Sequence, residues 1–150
     1  MVRKANLNDL AKITEIYNQA IASKKSTADM QPFKVEQREE WFLDHNQNSR
    51  TPIYVYEENY VVLGYCYLSA YRPGRQALEN IAEISYYVDF QCHRKGIGSK
   101  LLQHSMQEAK KLGYWNLLAI VISCNEGSSE KVNPQKKVFH LKGNKAVKVF

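Results

Sequence analysis

The sequence predicts a single α/β domain, and three features carry that expectation. Short β-rich runs alternate with segments whose apolar residues recur at helical spacing. An apolar strand pattern over residues 84–88 passes abruptly into a glycine-punctuated turn and then an amphipathic helix. The length, 150 residues, is near the common size of one domain with its own core.

Each element has its own signal. Leu10, Ile13, Tyr17, Ala20 and Ile21 recur at helical spacing, which predicts a helix over 8–22 with Asn8 as its cap. Residues 23–33 show no apolar period and contain Pro32, so they read as a loop. A second helix follows over 35–45, presenting Trp41 and Phe42 inward. Residues 53–56 and 61–68 are β-rich and separated by Glu57, Glu58 and Asn59, the pattern of a strand pair with a short turn. Arg72-Pro73-Gly74-Arg75 breaks the next connection. A strand over 81–89, a helix over 97–112 with Leu101, Leu102, Ser105, Ala109 and Leu112 on one face, and a strand over 115–122 complete the regular part.

The junction at 89–98 has the chemistry of an anion site. The first N–H groups of a helix lack carbonyl partners, and glycines at 96 and 98 have no Cβ to hold a diphosphate away from them. Arg94 and Lys95 add positive charge beside those donors. Two familiar phosphate loops do not fit. The dinucleotide pattern G-x-G-x-x-G would need glycine where Leu101 stands, and no G-x-x-x-x-G-K-[ST] run exists.

What remains resembles the pyrophosphate loop of the GNAT superfamily of N-acetyltransferases, [QR]-x-x-G-x-[GA], with Gly96 and Gly98 in place and His93 where Gln or Arg is usual. Further matches point to the phosphinothricin N-acetyltransferase-like branch. They are the opening from Val2 to Asn18, Trp41-Phe42 with His45 as W-F-x-x-H, and the run from Gly64 to Ser69. Glu83-Ile84-Ser85-Tyr86-Tyr87-Val88 fits E-x-S-x-Y-V, and Asn125 with Ser128 fits the N-x-x-S after the fifth strand. The resemblance implies a mixed central sheet flanked by helices, acetyl-CoA as co-substrate, a small-molecule primary amine as acceptor, and a homodimer.

It also implies roles. The fourth and fifth strands splay apart in that fold, so backbone groups of Tyr86, Tyr87 and Val88 are expected along the pantetheine arm. His93, Arg94, Lys95, Gly96, Ile97, Gly98 and Ser99 are expected around the diphosphate, with Asn125 and Ser128 contributing after the fifth strand. Glu83 is the expected general base, because an acceptor ammonium must be neutral before it attacks; read from spacing alone it would be a surface glutamate at a cleft edge. Glu79 is a nearby alternative that matches no catalytic position, and His104 reads as a solvated helix residue. The tyrosine that many superfamily members offer as leaving-group acid has no counterpart in residues 125–150. Arg72 and Arg75 are candidates for an acceptor carboxylate, or else solvent-facing loop charges; Leu78 and Ile81 replace a tyrosine and a threonine of the branch.

Composition narrows the classes. No apolar run approaches a membrane span and the N-terminus lacks a signal-peptide core, so a cytoplasmic protein without membrane partners is expected. Cys66, Cys92 and Cys124 form no C-x-x-C pair and read as reduced structural thiols, with no metal site. The formal net charge is +6, of which residues 130–150 hold +5 through six lysines against Glu130. The basic character belongs to this tail, residues 1–129 being the acetyltransferase domain, and no aromatic platform interleaves the lysines, so no nucleic-acid partner is expected. After N-x-x-S the family continues with a helix and two strands, whereas Pro134 interrupts any helix here. The C-terminal strands are therefore expected to be missing or altered, with one short strand over 137–141 and an exposed apolar edge. The alternative function is a catalytically impaired acyl-CoA-binding domain.

Overall fold

The computed structural model describes residues 1–24, 26–124 and 132–140, with side chains through residue 119. Its elements run β1 (Val2–Lys4), α1 (Leu10–Ser23), α2 (Glu39–Gln47), β2 (Ile53–Glu58), β3 (Val61–Ala70), β4 (Ile81–Val88), α3 (Ile97–Lys111), β5 (Asn116–Cys124) and β6 (Val132–His140). The six strands form one sheet in sequence order, antiparallel throughout except for the parallel pair β4 and β5 joined by α3. A parallel pair requires a crossover, which is why a helix lies between these two strands alone.

Strand alternation sorts the core into two layers. Ile53, Val55 and Tyr65 pack with Ile13, Ile16, Tyr17 and Phe42 on the α1 and α2 side. Tyr54, Tyr56 and Cys66 pack with Ile97 and Leu101, and Leu68, Ala82 and Ile84 with Ala109, on the α3 side. The Cys66 thiol lies 3.0 Å from the Ser105 hydroxyl, and burial pushes its pKa up to about 12, so it is a packed, unreactive thiol.

Three expectations are corrected. The cap is Asn6, not Asn8: the Asn6 side chain accepts from the Asn8 N–H at 3.0 Å while Asp9 accepts from the Asn6 N–H at 2.8 Å, a capping box that opens a 3-10 turn before α1. The turn between β2 and β3 is Asn59 and Tyr60, both left-handed with φ of 51° and 64°, because a two-residue hairpin turn must match the twist of its strands. The C-terminal strand is longer than expected: β6 spans Val132–His140 and pairs with all of β5, from Asn116 opposite His140 to Cys124 opposite Val132. Pro134 is tolerated because β6 is the outer strand of the sheet, where a missing N–H breaks no necessary ladder bond. Thus β5 is covered along its length instead of exposing an edge. Among the described residues, no helix is long and apolar enough to cross a membrane, and no group of side chains has metal-binding geometry.

Candidate functional site

The site begins where a ladder stops. The two strands β4 and β5 pair over four positions, Ile81 with Asn116 through Ile84 with Ala119, and the register ends there although both strands continue. On its other edge β4 stays paired with β3 through Val88 opposite Gly64. The Asp89 N–H bonds the Leu63 carbonyl and the Tyr71 N–H the Ile81 carbonyl, so by alternation Ser85 and Tyr87 turn their backbone groups to β3, while Tyr86 and Val88 turn theirs toward a gap.

At the end of that gap Asp89 starts a 3-10 turn, Phe90–Cys92, and the chain bends into α3. Arg94 and Gly96 both take left-handed conformations, φ 64° and 75°, which is why a glycine serves at 96. Gly96 precedes the helix and offers no side-chain cap. The first hydrogen bond is Lys100 N–H to the Gly96 carbonyl at 3.1 Å, so the N–H groups of Ile97, Gly98 and Ser99 come before any helical partner. The bend is tied down on α1. Asp89 accepts from Lys12 at 2.9 Å and from the Gln91 N–H at 3.1 Å, and the Phe90 N–H reaches Gln19 at 2.9 Å. Burial raises the Asp89 carboxyl, but these donors outweigh it and hold its pKa below the ordinary value.

A pocket of about 510 Å³ joins gap and turn. It brings together Tyr86, Tyr87, Val88, His93, Arg94, Gly96, Ile97, Gly98 and Ser99 of the expected set. It does not include Lys95, which adjoins the turn in sequence but does not line the pocket. The ring of His93 sits 3.0 Å from the Val88 carbonyl through Nε2 and 4.9 Å from Phe90, so it braces the turn. Sequence reasoning missed that Ala20 of α1 and Ser26 also line the pocket, since core spacing gives Ala20 no second role and a loop without periodicity gives no sign of what Ser26 faces. Asn125 and Ser128 lie outside the described residues, and so does most of the lysine tail.

Glu83 does not line that pocket. It is the third residue of β4, opposite Ser69 of β3 and Leu118 of β5, one pair before the ladder ends. By alternation it shares a face with Ser85 and Tyr87, the face that meets Tyr17, Tyr65 and Tyr67. Arg72 and Arg75 are not brought to the same place as the glycine turn. They line a second pocket of about 410 Å³ at the β3 to β4 connection, with Arg50, Glu79 and Tyr114. His104 packs edge-on to Tyr54 at 4.7 Å on the α3 side, away from the gap, and burial lowers its pKa.

The donors fit an acyl-CoA: uncapped N–H groups at a helix start suit a diphosphate, and an unpaired strand edge suits the amides of a pantetheine arm. Such a molecule supplies an activated acetyl thioester. The acetyltransferase (GNAT) domain family matches residues 2–146, and the chain belongs to that family as an acetyl-CoA-dependent N-acetyltransferase. It is 39% identical over 128 residues, 85% of this chain and 77% of the relative, to Bacillus subtilis YwnH, which is provisionally named a phosphinothricin acetyltransferase. It is 32% identical over 127 residues to the L-methionine sulfoximine/L-methionine sulfone acetyltransferase of Salmonella typhimurium, covering 85% of this chain and 73% of that one. The structure of a GNAT superfamily phosphinothricin acetyltransferase from Sinorhizobium meliloti in complex with acetyl-CoA superposes with a TM-score of 0.75 at 30% identity, over 81% of this chain and 65% of that chain.

Proposed function

We propose that this enzyme moves the acetyl group of acetyl-CoA to the primary amine of an amino-acid-like small molecule, of the phosphinothricin or methionine sulfone and sulfoximine type, with Glu83 as general base. The observation that carries the reading is the position of Glu83 at the next-to-last pair of the β4 and β5 ladder, two residues before the open strand edge. In this reading the 97–99 N–H groups and Arg94 hold the diphosphate, while backbone groups of Tyr86 and Val88 orient the pantetheine arm; those of Tyr87, also expected there, are turned to β3 instead. An N–H on the open edge then meets the oxygen that gains charge as the amine attacks. Glu83 takes the proton that the acceptor nitrogen must lose, directly or through water. The relatives' names supply the acceptor class.

The test measures thiol release with acetyl-CoA and a panel of amino acids and analogues, for the parent and for Glu83→Gln. Acceptor-dependent release that falls by about 10²-fold or more in the variant, with acetyl-CoA affinity unchanged, is expected for loss of a general base. Equal rates in the two proteins would remove Glu83 from the role.

A further inference from the structure

On the α1 and α2 side of β4, one side chain has charge and no counterpart. Arg38 is only 6% exposed, yet among the described residues its side chain makes no hydrogen bond and no ion pair, and its Nη1 is buried without a partner. It is held by rings instead: its guanidinium carbon lies 4.1 Å from the centroid of Trp41, 4.2 Å from Tyr17 and 5.8 Å from Phe33. Tyr65, fully buried in the same aromatic cluster, likewise has a hydroxyl without a partner. Stacking on rings stabilises a guanidinium but satisfies none of its N–H groups. Buried polar groups in proteins are hydrogen-bonded as a rule, and a buried cation without an anion is the costlier exception. Arg38 Nη1 and the Tyr65 hydroxyl thus offer two donors to an acceptor from one cluster.

The cluster is also placed to see the reaction. Burial raises the Tyr67 pKa most, and both charges act on it, Arg38 drawing it down and Glu83 raising it. Tyr67 stands edge-on to Trp41 at 5.2 Å, and Tyr87, whose ring meets Tyr17 at 5.1 Å and Tyr65 at 5.3 Å, also lines the acyl-CoA pocket. We propose that Arg38 and the Tyr65 hydroxyl form the carboxylate subsite of the acceptor, so that an α-amino acid lies across Tyr67 with its carboxylate toward Arg38 and its amine toward Glu83. This rests on the amino-acid reading above and deepens it. It moves the carboxylate contact away from Arg72 and Arg75, which line a different pocket.

The experiment compares two probes, methionine sulfone and 3-(methylsulfonyl)propan-1-amine, which differ by the carboxylate alone. The parent is expected to prefer methionine sulfone by at least tenfold in kcat/KM. Tyr65→Phe keeps the ring, and Arg38→Lys keeps the charge while losing the fork. Each should raise KM for methionine sulfone about tenfold, the usual cost of losing one hydrogen bond to a charged group. KM for the amine and for acetyl-CoA should not change. Thermal melting identifies a variant that fails to fold, and Tyr65→Phe carries the test if Arg38→Lys does. Equal losses on the two probes, or none on either, overturn the subsite while leaving N-acetyl transfer intact. A parent that acetylates the amine but no amino acid overturns the amino-acid reading, and the subsite with it.

Discussion

The two halves of β4 differ in their neighbours. Residues 81–84 are paired on both edges, to β3 and to β5, and Ala82 and Ile84 are buried under α3. Residues 85–88 keep only the β3 partner, and Tyr86 is 38% exposed. The first half is structural, since every backbone group has a use inside the sheet. The second half presents backbone groups that a ligand can complete, which lets a strand serve as a binding element without unusual side chains. Glu83 sits near the boundary, on the paired side, where the ladder fixes its backbone, and close to the open edge where we propose that the acceptor binds.

Changes at the boundary and in the open half separate these roles. The largest expected effect is Glu83→Gln, about 10²-fold or more in kcat with calorimetric acetyl-CoA affinity preserved, because the side chain lies outside the pocket that the cofactor fills. Next is Gly64→Ala. A Cβ there would stand 3.0 Å from the Tyr87 carbonyl oxygen and 3.1 Å from Ile97 Cγ2, wedging β3 from both the open half of β4 and the start of α3. We expect about 1–3 kcal/mol of lost stability by chemical denaturation and weaker acetyl-CoA binding. Gly96→Ala meets no atom within 4 Å but must adopt φ of 75°, so about 1 kcal/mol of stability should be lost. A larger loss would mean that the turn has a contact beyond its backbone conformation.

The smallest effect concerns the bend that follows the open half. The Asp89 carboxyl, paired with Lys12, and the Asp9 carboxyl, paired with Arg3, both have pKa values below the ordinary 3.8 despite burial that opposes this. Their stabilisation is complete above that ordinary value and is lost as pH falls through the lower folded values. Melting temperature should therefore drop below about pH 4, and Lys12→Met should flatten part of that drop. An unchanged acid profile in Lys12→Met would mean that the pair does not anchor the turn.

Side-chain patterns made the scaffold legible. Helical spacing placed Leu10, Ile13, Tyr17, Ala20 and Ile21 on one face, and all are buried. Glycines at 96 and 98 marked the turn because only a left-handed or closely approached backbone needs them there. The length of β6 was not legible, since Pro134 reads as a breaker unless its strand is known to be outermost. The separation of Arg72 and Arg75 from the glycine turn was legible, because the sequence puts the arginines before strand 81–89 and the glycines after it. Arg38 gave no signal at all: a lone arginine in the first turn of the helix expected over 35–45 reads as surface charge until three rings are found around it. Backbone roles are the hardest to read, as Tyr86 and Val88 matter for an edge that no side chain advertises.

That edge can be measured residue by residue. Amide hydrogen exchange with and without acetyl-CoA should show the N–H groups of Tyr86, Val88 and residues 97–99 slowing on binding, while those at 81–84 and of Tyr87, already paired within the sheet, stay as they were. Uniform protection along β4, or none at the open half with acetyl-CoA bound, would contradict the assignment of the acyl-CoA to the place where β4 and β5 part.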